Sequence, residues 1–127
     1  MINSNQFKKD EVWIAIRIND RFLYVNDEPY DIYILMDAMD ANVFGHVLSR
    51  VSDQAPLEAD VENLFRKALD SQGKWPKKLI IPDDSKAGQI FRKQAEKNAL
   101  TVDTVPLSDL SPIIAPLMAA FAEEDEE

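Results

Sequence analysis

Residues 75–106, WPKKLIIPDDSKAGQIFRKQAEKNALTVDTVP, decide the fold. Leu79, Ile80 and Ile81 form a short apolar run that stops at Pro82-Asp83-Asp84-Ser85. A run of this length, bounded by turn residues, reads as a buried strand. After it, Ala87, Ile90, Phe91 and Ala95 recur at helical spacing, and Asp84 or Ser85 suits the capping position before that helix. Residues 100–105 then form a second short apolar run. Strand, helix, strand is a βαβ unit, which predicts parallel strands and sets Asp83 and Asp84 at the carboxyl end of the first one. Open α/β sheets bind ligands just beyond such strand ends.

Working outward, the front half alternates like an antiparallel meander. Residues 12–18 (VWIAIRI) and 21–25 (RFLYV) read as strands joined at Asn19-Asp20, which predicts a hairpin. Asn26-Asp27-Glu28-Pro29 interrupts, and residues 30–36 (YDIYILM) and 43–51 (VFGHVLSRV) read as further strands around a polar turn at 37–42. A first helix is expected over residues 57–71, with Pro56 at its first position, Gly73 just past its end, and one apolar face of Leu57, Val61, Leu64, Phe65, Ala68 and Leu69. A third helix carries Leu110, Ile113, Ile114, Leu117, Met118 and Phe121 on one stripe, with Pro112 in its first turn. Pro116 inside it costs about 3 kcal/mol unless the helix kinks or starts later. The expected organisation is an N-terminal extension (1–11), a single α/β domain (12–121) and an acidic tail (122–127).

Composition removes several function classes. The 127 residues contain no Cys, which excludes disulfides, thiolate metal sites and thiol nucleophiles. One histidine, His46, excludes a multi-histidine metal site, and it reads as a partly exposed strand residue. Three scattered Gly form no phosphate-binding loop, and no Ser lies in a nucleophile-elbow pattern. No apolar run nears the ~20 residues that span a bilayer, and the polar N-terminus lacks a signal core, so a cytoplasmic location is expected. The net charge of −9 disfavours nucleic-acid binding. More than half of it comes from Glu123, Glu124, Asp125, Glu126 and Glu127, read first as a solubilising tail and second as an interaction tail or a mimic of nucleic-acid charge. Lys74, Lys77, Lys78, Lys86, Arg92, Lys93 and Lys97 make the one basic region, either a polyanion patch or a solvated helix face. Phe22, Tyr24, Tyr30 and Tyr33 are either partner anchors or core and cross-strand pairs.

Read together, "YILMDAMDANVFGHVLSR" (33–50 with Tyr33 its first residue) and "KKLIIPDDSKAGQIF" (77–91) resemble the second, third and fourth strands of the ribonuclease H-like fold shared by integrase and transposase cores. With Trp13 early in the first strand and Trp75-Pro76 before the central one, the chain is also similar to an uncharacterised bacterial domain family of unknown function. The resemblance implies a mixed α/β (α+β) sheet with antiparallel strands first, then helix-strand-helix-strand-helix, over residues 12–121. It also implies three carboxylates around two divalent metals. Only Asp83, with Asp84 beside it, matches. The first strand holds Arg17 where an acid belongs, and the last helix has no acid on its apolar stripe. The resemblance is therefore to a degenerate member without cofactor, more an interaction module than an enzyme, with another protein or a second copy (a homodimer) as partner. The alternatives are a metal-dependent phosphodiesterase that gathers Asp37, Asp40, Asp83 and Asp84 around Mg²⁺ or Mn²⁺, and an acidic decoy of a nucleic-acid-binding protein. For Asp83 and Asp84 the competing reading is helix capping; for Asp37 and Asp40 it is turn formation.

Overall fold

A computed structural model describes residues 2, 4–19, 21–83 and 85–125. Six strands form one mixed sheet: β1 (Val12–Arg17), β2 (Leu23–Val25), β3 (Glu28–Asp37), β4 (Val43–Arg50), β5 (Lys78–Ile81) and β6 (Thr101–Thr104). Three helices accompany them: α1 (Glu58–Gln72), α2 (Lys86–Lys97) and α3 (Ser111–Asp125). β1 lies at the centre. It pairs antiparallel with β3 (Ile14 opposite Met36) and parallel with β5 (Ile14 opposite Ile80), and β6 continues the parallel side. β4 flanks the far edge of β3. The strand-helix order is the one expected from the sequence.

The two faces of the sheet are covered by different helices, so β1 is buried on both and reads as an almost unbroken apolar run. Trp13 and Ala15 face a core built with Val61, Leu64, Phe65 and Ala68 of α1 and Phe91 and Ala95 of α2. Trp13 sits against Phe44 and Trp75 there, at centroid separations of 4.9 and 5.9 Å. Val12, Ile14 and Ile16 face the opposite core with Ile113 and Ile114 of α3, and Ile2 and Phe7 of the N-terminal segment pack against it. Each fully buried ring or branched side chain contributes roughly 1.5–3 kcal/mol relative to exposure.

The hairpin expected at Asn19-Asp20 is not where the chain turns back. β2 pairs with β3, not with β1, and the reversal is at Asn26-Asp27, whose φ values of 52° and 67° suit the tight turn that joins two twisted strands. Tyr30 pairs with Leu23 on one side and Arg50 on the other, so β2 extends along the same edge of β3 that β1 occupies. The buried Asn19 explains this. Its side-chain oxygen accepts from Ile32 N–H (2.8 Å) and its amide donates to the Tyr30 carbonyl (3.2 Å), so it stands in for a rung to β3 between the stretches that β1 and β2 pair with, and carries the chain forward. Asp20 lies outside the described residues.

Helix boundaries correct the sequence reading in detail. Leu57, expected on the buried face of α1, is the residue before the helix and is exposed, and Pro56 precedes it rather than opening the helix. Gly73 closes α1 at φ 77°, its N–H bonded to the Leu69 carbonyl. Ser85 caps α2 by accepting from Gly88 N–H at 3.2 Å. α3 runs through Pro116 without stopping and takes in the start of the acidic tail, ending at Asp125; Glu126 and Glu127 lie outside the described residues. No described helix is long and apolar enough to cross a membrane.

Gly88 is set by close approach. Its backbone lies directly against the Asp83 carbonyl, and a Cβ there would overlap that oxygen. Gly88→Ala is expected to destabilise the fold by about 1–3 kcal/mol through overpacking, measured as a lowered denaturation midpoint.

Candidate functional site

The parallel pair β1 and β5 ends at one rim of the sheet, where Arg17, Pro82 and Asp83 follow one another across the strands. A crevice of about 330 Å³ opens there, lined among others by Asp31, Tyr33, Ser85 and Phe91. Arg17 stands opposite Tyr33 in the β1–β3 register, and its Nε lies 2.9 Å from Asp31 Oδ1. This is a charge contact without hydrogen-bond alignment, and with Arg17 partly exposed it contributes at most about 1 kcal/mol. The guanidinium also lies 5.7 Å from the centre of the Phe22 ring. Tyr33 packs on Phe91 at 5.8 Å. Burial pushes the Tyr33 phenol above its ordinary pKa, Asp31 and Asp83 push the same way, and Arg17 opposes them. Asp83 Oδ1 accepts from Ser85 N–H at 2.9 Å, so Asp83 shapes the turn into α2 while Ser85 makes the cap. Asp84 lies outside the described residues.

Asp37 and Asp40 are at the other end of the sheet. Asp37 ends β3 opposite Trp13, and Trp13 pairs with Leu79, four residues before Asp83, a span of ~13 Å of strand. Asp37 and Asp40 therefore do not cluster with Asp83, because β3 runs antiparallel to β1 and delivers its last residue to the opposite rim. Asp37 is fully buried; Oδ2 accepts from Asp10 N–H (3.1 Å) and Oδ1 from Met39 N–H (3.2 Å). It ties the N-terminal segment, with Asp10 at φ 56°, to the sheet. Burial pushes the Asp37 carboxyl above its ordinary pKa, with the two N–H donors opposing and Asp40 and Asp10 adding to the rise. Asp40 is exposed and accepts from Asn42 N–H at 2.9 Å, which is turn chemistry.

Among the described residues, the donor set at the β1–β5 rim does not fit a two-metal centre. Arg17 places a cation there, Asp31 is paired to it, and Asp83 is engaged by the backbone of Ser85. Among the described residues no three Asp, Glu or His side chains are grouped to hold a metal ion. The basic region is similarly engaged. Lys93 meets Glu58 at 2.6 Å, Lys78 meets Asp103 at 2.8 Å, and Arg92 donates to Thr104 at 3.0 Å. The Lys93 ammonium holds the Glu58 carboxyl below its usual range. His46 is exposed on β4, as expected.

A second opening, of about 500 Å³, is of different character. It lies between the C-terminal half of α3 and the outer strands, with Ile32, Ile34, Leu48, Leu117 and Phe121 in its walls and His46 at its rim. No charged side chain lines it among the described residues.

The whole arrangement is similar to a chain in the cryo-electron-microscopy structure of the simian T-cell lymphotropic virus intasome in complex with PP2A regulatory subunit B56 gamma. The TM-score is 0.54 and identity 14%, over 93% of this chain and 43% of that one. The chain has the ribonuclease H-like fold. The HTLV-2 integrase catalytic core domain in complex with magnesium, in its dimeric form, is similar with a TM-score of 0.49 and 13% identity, over 75% of this chain and 60% of that one. This chain thus spans less than two thirds of the length of either. No protein-family model matches it, and no curated protein matches it.

The trio Arg17, Asp31 and Tyr33 escaped sequence reading as a unit because it depends on strand register. The signal available was Arg17 itself, a cation at the end of an apolar central strand. Asp37 yields a test. Asp37→Ala leaves the Asp10 and Met39 N–H groups without acceptors and is expected to cost about 2–4 kcal/mol. Because burial raises the Asp37 pKa, its contribution is complete below the ordinary carboxylate pKa and declines as pH rises through the raised value. The loss on substitution should therefore be larger near pH 3.5 than at pH 7 in paired urea titrations.

Proposed function

We propose that this ribonuclease H-like domain acts by binding another protein and performs no phosphodiester chemistry of its own. The observation that carries the reading is the Arg17–Asp31 contact of 2.9 Å at the β1–β5 rim, which puts a paired cation where metal chemistry needs converging free carboxylates. Among the described residues, Asp83 is the one acid that follows β5 at that rim, and its turn hydrogen bond accounts for its presence.

Binding has a surface to work through. The groove beside α3, uncharged among the described residues, joins exposed apolar residues on β4, Val43 and Leu48, which are 41% and 38% exposed. Apolar area of this kind on an otherwise charged chain marks a contact surface. The 29% charged composition makes the neutrality of this face a local property.

Calorimetric titration with Mn²⁺ at millimolar concentration is expected to give no saturable heat, and single- and double-stranded DNA and RNA should stay intact with Mg²⁺ or Mn²⁺ present. A saturable Mn²⁺ heat that Asp83→Asn removes, or metal-dependent strand cleavage, replaces this reading with the phosphodiesterase one.

A further inference from the structure

The sheet has two unequal edges. β6, at one edge, is four residues long and polar, TVDT. β4, at the other, is eight residues long, VFGHVLSR, and pairs only with β3 among the described residues. Proteins commonly protect a long edge strand with lysine, proline or an inward charge, because its free N–H and C=O groups template pairing with another chain. β4 carries none of these in its own sequence before Arg50, which is engaged with Glu28 at 2.9 Å, and Lys67 of α1 lies beside Gly45 on the α1 side. The one irregularity, a register shift opposite Leu35 and Met36, affects its first residues and leaves the ladder from Gly45 to Arg50 regular.

From this edge and the groove beneath it, we propose that β4 is a homodimer interface, with the β4 strands of two copies pairing antiparallel about a two-fold axis. The proposal names the partner for the binding reading above and rests on it. A two-fold normal to the sheet joins like edges antiparallel and keeps both α3 layers on one side. The two neutral grooves then meet across the axis, with His46 and Leu48 of each copy facing those of the other. Self-association of a chain with charge −9 is opposed by repulsion, so it needs a face free of charge. The α3 side of the β4 edge supplies one, while Asp60 and Lys67 border the edge on the α1 side. Among the described residues the groove walls are uncharged, and residues 111–122 of α3 contain no Asp, Glu, Lys or Arg. Its eight residues give β4 a length of ~26 Å over which the two copies can pair.

Sedimentation equilibrium of the full chain over about 5–300 μM tests this, with native mass spectrometry as a second readout. The expected result is a species of twice 14.4 kDa. Leu48→Lys and Val43→Lys, both surface changes on β4, should weaken the dimer at least tenfold. Leu57→Lys, exposed near α1 and away from this face, should leave it unchanged. Backbone amides of residues 43–50 should exchange more slowly in the wild-type dimer than in Leu48→Lys. A wild-type monomer across the whole range overturns the proposal, as does a dimer that both β4 substitutions leave intact or one whose β4 amides gain no protection. A monomer would leave the binding reading standing, whereas metal-dependent cleavage would remove that reading without touching the dimer.

Discussion

The structure depends on a strand that has water on neither face. β1 is flanked by β3 and β5, with α1 and α2 over one face and α3 over the other. A strand in that position must satisfy every backbone group laterally and bury every side chain, which leaves only apolar residues as stable occupants until the strand emerges. Val12 to Ile16 meet that demand, and the first polar side chain, Arg17, appears where the strand reaches the rim. The position of the crevice follows from the same geometry. It lies where β1 and β5, running in one direction, both run out of cover.

Direction also separates the acidic residues into two populations with different work. Residues carried by the antiparallel β3 end at the rim opposite Asp83, and there Asp37 uses its carboxylate to anchor the N-terminal segment. Asp83 and Ser85 use their side chains to turn the chain from β5 into α2, with Gly88 allowing the two to touch. In both places the polar atoms are engaged by nearby backbone, which is the commonest role of Asp and Ser at element ends. The rim crevice keeps one cation and one phenol among its acids, a set suited to mutual neutralisation.

The β5-α2-β6 unit was legible in the sequence because a short apolar run, a capping serine and a helical stripe each pointed to the same local structure. The front half was legible as strands but not as pairings. Asn19-Asp20 and Asn26-Asp27 carry nearly the same turn chemistry, and what separates them is a tertiary fact, the reach of the Asn19 side chain to Tyr30 and Ile32 on another strand. The grouping of Asp37 with Asp83 failed for a related reason. Sequence gives the end of a strand on which an acid sits, while the direction of that strand in the sheet comes from its partners. The open face of β4 was equally hidden, since Val43, His46 and Leu48 alternate with buried residues as any half-covered strand would.

The parallel pairing of Ile14 with Ile80 has a consequence for how the chain comes to be folded. More than sixty residues separate the two, so the central strand cannot gain its second neighbour until almost two thirds of the chain exists. During synthesis at roughly 5–20 residues per second, the interval is on the order of several seconds. Throughout it, the emerging meander carries VWIAI as an open apolar edge, a template for the wrong partner. Pairings this distant in sequence also fold slowly for their size. The contact that makes β1 the most protected element of the finished protein therefore makes it the most vulnerable one in the nascent chain.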